Sequence, residues 1–172
     1  MVQRAFETIS DIPTKLICFS DDLDGLRKVP TNIPNSDILY QDLNLPLSKV
    51  RDPFKEKSSF AEYNNSKLCD FLDSFNFNYE FLSSTECYNS GKFDEAILNI
   101  LNSYNEIMEI MLPSLGDERK KTYSPFLPIS PKTGHVLQAE IKEINPKKGS
   151  IIYLEPDGEE IEIPVTGGSV KL

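Results

Sequence analysis

Apolar side chains recur at helical spacing in much of the chain before residue 121 and alternate as in β-strands after residue 138. Between these two parts lies a proline segment, residues 121–138, which contains Pro125, Pro128 and Pro131. Each proline fixes φ and removes a backbone donor, so neither a helix nor a central strand is expected to run through this segment. The proline segment is therefore predicted to be rigid and extended and to mark a change of architecture.

Helical periodicity is clearest where a capping signal precedes it. Ser59 and Glu62 have the spacing of a capping box, and apolar residues follow at helical spacing to about residue 75. A longer stretch of this periodicity begins at residue 93 and is stopped by Pro113. The predicted helices are residues 2–9, a short helix begun by Asn35 or Ser36, residues 59–75 and residues 93–112. The short helix lies in a proline-rich stretch, residues 29–58, that is predicted to be an ordered excursion over the surface.

The strand patterns are of two kinds. Residues 16–19 form a short continuous apolar run, which is typical of a parallel strand covered on both faces. The later strands alternate and are separated by turn sequences, which predicts a small antiparallel sheet. The predicted strands are residues 16–19, 79–82, 136–144, 150–154 and 160–165. The fold class is thus α/β, with the antiparallel sheet at the end of the chain.

Three carboxylates follow the first predicted strand, at Asp21, Asp22 and Asp24. Open α/β sheets place their ligands at the carboxyl ends of strands, so these acids could bind a metal ion or hold a cation. Alternatively, Ser20 or Asp21 caps a short helix that ends near Arg27. The residues alone leave both interpretations open, although the stretch lacks the ligand pattern of an EF-hand.

Charge and reactive side chains limit the chemistry further. The formal net charge of −9 disfavours generic nucleic-acid binding, but basic residues cluster late, as at residues 119–121. His135 is the only histidine, and three cysteines without CxxC spacing are expected to be buried or half-buried free thiols. From the histidine and cysteine residues alone we expect no catalytic site and no zinc site.

The N-terminal residues resemble no signal peptide, and no apolar run reaches 18 residues. The sequence therefore predicts a cytoplasmic protein without a membrane partner.

Several strings of the chain resemble class I lysyl-tRNA synthetases in their bacterial form. The string T-Y-S-P-F-L-P-I-S-P-K-T-G at residues 122–134 carries the resemblance most specifically, together with residues 17–30. Shorter strings at residues 52–54, 90–94 and 164–168 follow in the order that the family has. The resemblance covers nearly the whole chain.

This resemblance implies a fold and an activity. Such synthetases activate lysine with ATP to lysyl-adenylate and then transfer the lysyl group to the terminal adenosine of tRNA. It implies a partial Rossmann-like catalytic domain at residues 1–88 and an inserted connecting domain at residues 89–172, which approaches the tRNA acceptor end. ATP, lysine and tRNA are the implied cofactor and partners of the full enzyme, and no metal is implied because the proline segment lacks cysteine.

The chain departs from the family at both ends, because it contains neither the H-I-G-H-like nor the K-M-S-K-S-like motif that stabilises the phosphates. What the resemblance implies for sites is therefore limited to tRNA contacts. These candidate residues are Asp22, Asp24, Arg27, Lys120 and Lys121. No catalytic residue is assigned.

Two hypotheses follow. In the first, the chain is an internal fragment of a lysine–tRNA ligase that is inactive alone and arises from a split gene, a degraded gene or a misplaced start. In the second, it is a non-catalytic module that binds the tRNA acceptor or completes a split synthetase. In either case the missing synthetase segments are possible partners. A nucleotide-binding fold without its second half is also expected to expose a sheet edge and an apolar face, and therefore to aggregate alone.

Overall fold

A computed structural model describes residues 2–172. The helices and strands up to residue 89 are α1 (Val2–Glu7), β1 (Leu16–Ser20), a 3₁₀ helix (Ser36–Asp42), α2 (Phe60–Ser74), β2 (Tyr79–Ser83) and α3 (Ser84–Asn89). The helices that follow are α4 (Asp94–Asn102), α5 (Tyr104–Met111), a 3₁₀ turn (Leu112–Ser114) and α6 (Asp117–Lys120). The last strands are β3 (Leu127–Pro128), β4 (Ile141–Asn145), β5 (Ser150–Leu154), β6 (Glu160–Pro164) and β7 (Val170–Lys171).

The first sheet consists of β1 and β2, which pair in parallel with Leu16 opposite Tyr79 and Ser20 opposite Ser83. Helix α2 connects the two strands and covers one face of the pair, as the bond between the Ser20 and Asn65 side chains shows. On the other face Ile17 and Phe19 are 52% and 45% exposed. The parallel strand is confirmed, but the prediction that both of its faces are covered is wrong, because α2 packs on one side only.

Helix α2 confirms the capping prediction. The Ser59 side chain accepts a hydrogen bond from the backbone N–H of Glu62 at 3.1 Å. The Glu62 carboxylate, however, accepts from the backbone N–H of Ser58, at 3.0 Å, rather than from that of Ser59. The helix starts where the capping signal lies because Ser59 satisfies one of the amide donors that the first turn leaves free.

The single long helix predicted for residues 93–112 is wrong in its continuity. Helix α4 ends at Asn102 and α5 begins at Tyr104, because Ser103 has φ −100° and ψ 19° and interrupts the helical backbone. The apolar spacing continues across the break: Ile97 and Leu101 are fully buried, and Tyr104 packs against the same cluster.

Strands β4, β5 and β6 form the predicted antiparallel sheet, with β5 in the centre. The hairpin between β5 and β6 is confirmed, with Ile152 opposite Glu162. The strand predicted at residues 136–144 is wrong at its start, since β4 begins at Ile141 and its register shifts before Glu143. Val136 instead forms an isolated bridge with Ile129.

The proline segment is extended at residues 127–129, as predicted, but the prediction is wrong for the whole of residues 121–138. The backbone N–H of Gly134 donates to the carbonyl of Ser130 at 2.8 Å, and the chain turns back on itself there. Only Leu127 and Pro128 join a ladder, opposite Lys171 and Val170 of β7. Pro128 has no N–H to donate, but its carbonyl accepts from the backbone N–H of Leu137 at 2.8 Å. Proline is tolerated here because the pairing is two residues long and lies at an edge.

Two clusters of buried residues form the core. The larger includes Leu23 and Tyr88 together with Ile97, Phe126 and Tyr153. The smaller contains Leu26, Val29, Leu39 and Val50 and gives the excursion at residues 29–58 its own ordered interior. The larger cluster therefore contains residues from both sides of the domain boundary expected at residues 88 and 89, and that division stays a prediction.

None of the helices in residues 2–172 is long and apolar enough to cross a membrane.

Candidate functional site

The candidate site lies where β1 and β2 end. Because the strands are parallel, the segments that follow them, residues 20–24 and 83–85, lie at the same edge of the sheet. We call residues 21–24 the acidic turn. A hydrogen bond from the backbone N–H of Asp24 to the carbonyl of Asp21, at 3.1 Å, closes it. The short helix that Ser20 or Asp21 was expected to cap is absent from this stretch, so that interpretation is wrong.

Asp22 is at the centre of the acidic turn and is only 5% exposed. One carboxylate oxygen accepts hydrogen bonds from the Ser84 hydroxyl at 3.1 Å and from the backbone N–H of Thr85 at 2.8 Å. The other oxygen accepts from the side-chain amide of Asn65 at 3.2 Å. Asp22 therefore joins β1, α2 and the start of α3.

Hydrogen bonding decides the ionisation of Asp22. Burial by itself would raise the pKa of this carboxyl group, but hydrogen bonds from Ser83, Ser84 and Thr85 outweigh burial and lower the pKa below its ordinary value. Asp22 is consequently a carboxylate at neutral pH.

Asp21 and Asp24 are paired with a lysine from the far end of the chain. The Lys171 ammonium group lies 2.9 Å from an Asp21 carboxylate oxygen and also contacts the Asp24 carboxylate. The Lys171 side chain is 8% exposed. Burial would lower the pKa of Lys171, but the two carboxylates raise it. The acidic turn thus holds a cation, and that cation is a side chain of the same protein.

The neighbouring backbone fixes the position of β7. The backbone N–H of Leu172 donates to the Tyr88 hydroxyl at 3.0 Å. Tyr88 is buried in the larger core cluster. Strand β7 is therefore joined to the acidic turn through Lys171 and to α3 through Leu172.

Arg27 lies beyond the acidic turn, beside the proline segment. Its guanidinium donates to the carbonyl of Val136 at 3.2 Å, and the residue is otherwise exposed. Gly25 permits this approach, because a Cβ there would lie 3.2 Å from both the Asn44 carbonyl oxygen and the Val136 Cβ. The structure thus places Arg27, one of the candidate tRNA-contact residues, next to the proline segment.

Lys120 and Lys121 lie at the end of α6 and are exposed. Lys120 forms a surface ion pair with Asp117 at 3.4 Å. Next to them Arg119, Tyr123, Gln138 and Leu172 line a cavity of about 260 Å³. Because Leu172 follows Lys171, this basic segment is connected through β7 to the acidic turn.

A second cavity, of about 380 Å³, opens beside Asp22. Five of the residues that line it carry hydroxyl groups: Ser48, Ser59, Ser66, Ser83 and Thr85. The hydroxyl groups of Thr85 and Ser48 are bonded to each other at 3.0 Å. We call this the hydroxyl cavity.

The sequence interpretation missed the residues that bind the acidic turn, namely the hydrogen-bond donors to Asp22 and the lysine that pairs with Asp21 and Asp24. Asn65, Ser84 and Thr85 were not singled out, although the position of residues 83–85 after a parallel strand was a usable signal. Lys171 gave no signal, because it lies in a two-residue strand far from the acids it contacts.

The three cysteines are free, as predicted: Cys18 and Cys69 are half-buried and Cys87 is buried. His135 is half-buried in the turn of the proline segment. Within the described residues 2–172, no group of three or more His, Cys, Asp or Glu side chains is arranged to hold a metal ion.

A family model described as tRNA synthetases class I (K) matches residues 1–172. Among curated proteins, lysine–tRNA ligase of Rickettsia prowazekii (strain Madrid E) is 56% identical to the chain over 172 residues. Lysine–tRNA ligase of Rickettsia rickettsii (strain Sheila Smith) is 57% identical over the same length. Each alignment covers 100% of the chain and 33% of the relative, so the chain spans about a third of the length of these curated relatives.

Proposed function

The chain belongs to the class I tRNA synthetases (K), and we propose that it forms part of a lysine–tRNA ligase, in which lysine is activated with ATP and transferred to tRNA. The observation that carries this proposal is identity of 56–57% across all 172 residues to proteins named lysine–tRNA ligase. Since the chain covers 33% of those proteins, the proposed reaction also needs groups from the other parts of such an enzyme.

In the proposed reaction, a lysine carboxylate oxygen attacks the α-phosphorus of ATP and pyrophosphate leaves. A ribose hydroxyl of the terminal tRNA adenosine then attacks the lysyl carbonyl and releases AMP. Both steps depend on positioned reactants and on stabilisation of developing charge. We infer that β1, β2 and α2 form part of a Rossmann-like domain in the complete enzyme. We also infer that this enzyme works in the cytoplasm.

For this chain we propose a role at the tRNA acceptor end. Arg27, Lys120 and Lys121 are the exposed cations that would contact phosphates. Asp22 and Asp24 would act by position, since their carboxylates already bind Ser84, Thr85, Asn65 and Lys171. A rigid acidic turn keeps Arg27 beside the proline segment, where the acceptor end would pass.

The proposal is tested by lysine-dependent ATP–pyrophosphate exchange. The pure 172-residue chain is expected to show no exchange above background. A chimera of the Rickettsia prowazekii ligase, in which this chain replaces the matching segment, is expected to retain exchange and tRNA lysylation. Robust exchange by the chain alone would show that the chemistry does not require the remaining segments. A folded but inactive chimera would contradict the assignment to this enzyme.

A second candidate function is binding of the tRNA acceptor without catalysis. It is favoured by exposed cations at Lys120 and Lys121 on a chain whose net charge is −9. A local basic surface can bind phosphates although the average charge is negative.

Fluorescence anisotropy with a labelled acceptor-stem RNA distinguishes this function. Binding should weaken as salt rises, and Lys120→Ala/Lys121→Ala should reduce the slope of log K against log salt by about one for each phosphate that the variant no longer neutralises. Lys49→Ala, which removes an exposed lysine on the excursion, is the matched control. Absence of any anisotropy change at low salt would exclude acceptor binding by the isolated chain.

A further inference from the structure

Two of the three cysteines, Cys18 and Cys69, lie on the two elements that form the interface between α2 and the parallel strands. Cys18 lies on β1 between Leu16 and Ser20, and these three residues form the half-buried side of an alternating strand. Cys69 lies on α2 and is half-buried as well. The contacts on either side of this pair fix how the helix lies on the sheet.

At one end of the interface, the Ser20 hydroxyl donates to the side-chain oxygen of Asn65 at 2.6 Å. At the other end, the Tyr79 hydroxyl donates to the Asp73 carboxylate at 3.1 Å, and Tyr79 is the register partner of Leu16. Helix α2 therefore runs antiparallel to β1.

Starting from the bonded pair Ser20 and Asn65, the strand and the helix cover nearly equal distances to reach their cysteines. From Ser20 back to Cys18 the strand covers about 6.6 Å. From Asn65 to Cys69 the helix covers about 6 Å. Equal steps from one bonded pair in opposite chain directions bring Cys18 and Cys69 opposite each other.

Electrostatics agree with this placement. Burial raises the pKa of the Cys18 thiol, and the charge of Cys69 raises it further. This direction is consistent with Cys18 and Cys69 lying on facing elements, since Coulomb interactions fall with distance.

The two thiols also differ in access. Cys69 lines the hydroxyl cavity, whose volume is about 380 Å³, whereas Cys18 does not. The third cysteine, Cys87, is buried on α3. A small oxidant in the cavity thus reaches Cys69 first and has Cys18 next to it.

We propose that Cys18 and Cys69 form an oxidisable dithiol site at which hydrogen peroxide produces a disulfide between β1 and α2. The Cys69 thiolate attacks one peroxide oxygen, the O–O bond breaks, and hydroxide leaves and takes up a proton to give water and a Cys69 sulfenic acid. The Cys18 thiolate then attacks the Cys69 sulfur, forms the S–S bond and releases the second oxygen as water. Overall two thiols lose two electrons and two protons, and one peroxide becomes two waters.

The test treats the folded chain with hydrogen peroxide, blocks remaining thiols under denaturing conditions, and maps the non-reduced peptides by mass spectrometry. The expected product is an intramolecular Cys18–Cys69 peptide pair that lacks two hydrogens, with Cys87 still free and alkylated. Reduction with dithiothreitol should restore all three thiols. Retention of three free thiols in oxidised wild-type protein, links that involve Cys87, or exclusively intermolecular dimers would overturn the proposal.

Serine variants test the order of the steps. Cys87→Ser, the matched control, should form the same disulfide, whereas Cys18→Ser should accumulate a Cys69 sulfenic acid that dimedone labels. Cys69→Ser should give far less dimedone label at Cys18; equal labelling of the two variants would contradict the assigned order. The wild-type peptide map does not depend on how well any variant folds, and neither result bears on the proposed synthetase function.

Discussion

Replacing Asp22 with asparagine isolates the role of one buried charge in the acidic turn. The change keeps the shape of the side chain but replaces one of its two acceptor oxygens with an NH₂ donor. In the native protein both oxygens face donors: Ser84 and Thr85 on one side and Asn65 on the other. If the new NH₂ points toward Thr85, it meets a backbone N–H donor. If it points toward Asn65, the two donors separate only when the Asn65 amide turns over and loses the bond that Ser20 donates to its oxygen.

The magnitude follows from these hydrogen bonds. A hydrogen bond to a charged group contributes about 1.5–3 kcal/mol, and a buried donor left without a partner costs about 1–3 kcal/mol. Asparagine keeps one acceptor oxygen, so part of the bonding survives. We expect Asp22→Asn to lower the free energy of unfolding by about 2–4 kcal/mol at pH 7, against a total of roughly 5–15 kcal/mol for a typical domain.

The stability difference between the wild type and Asp22→Asn should depend on pH, and the direction follows from the pKa of Asp22. The pKa of Asp22 is lower in the folded protein than in the unfolded chain, where an aspartate titrates near 3.9. Its stabilising contribution is therefore fully present above the unfolded pKa and is lost as pH falls through the folded pKa. The difference between wild type and Asp22→Asn should be constant near neutral pH and should shrink in acid.

Urea unfolding followed by circular dichroism measures both quantities. Asp70→Asn is the matched control, because Asp70 is exposed on α2, and its effect should stay within about 0.5 kcal/mol. A loss below that size at pH 7 for Asp22→Asn would show that the carboxylate bonds do not stabilise the fold. A loss that persists unchanged in strong acid would show that charge is not its cause.

Two further substitutions test the lysine that pairs with the acidic turn and the cap of α2. Lys171→Met should lower the free energy of unfolding by about 1–2 kcal/mol, because it breaks ion pairs to half-exposed carboxylates. Hydrogen exchange of the backbone amides of residues 21–24 should also accelerate, and unchanged exchange would refute the connection. Ser59→Ala should cost about 1 kcal/mol in urea unfolding through loss of the helix cap, whereas Ser74→Ala in the last turn should have little effect; equal losses would contradict a capping role.

The parts of the fold that could be predicted are those specified by neighbouring residues. The start of α2 follows from Ser59 and Glu62, which are three residues apart, and the β5–β6 hairpin follows from a turn sequence between alternating strands. The break at Ser103 could not be predicted, because serine is compatible with a helix and apolar spacing continues across it. The late start of β4 was missed for a similar reason, since Val136 is buried without belonging to the strand.

The candidate site was predictable only in its location. A run of acids after a parallel strand indicates a functional edge, but it does not show what the acids bind. The partner of Asp22 on α3 is 62 residues away, and the lysine that contacts Asp24 is 147 residues away. Such distant partners have no periodicity or spacing that a single sequence reveals, so a metal site, a helix cap and an ion pair all remained compatible with the same three carboxylates.

These distant contacts connect the acidic turn to the parallel β1–β2 sheet and to the β3–β7 pair. Asp22 joins it to α2 and α3, while Lys171 joins it to β7, which pairs with the proline segment. Arg27, which donates to Val136 at 3.2 Å, provides a third connection between the turn and that segment. A displacement of the proline segment would therefore act on the carboxyl ends of the parallel strands through Lys171 and Arg27. Direct contacts thus connect the proline segment and β7 to the strand edge, although these elements lie on opposite sides of the boundary expected at residues 88 and 89.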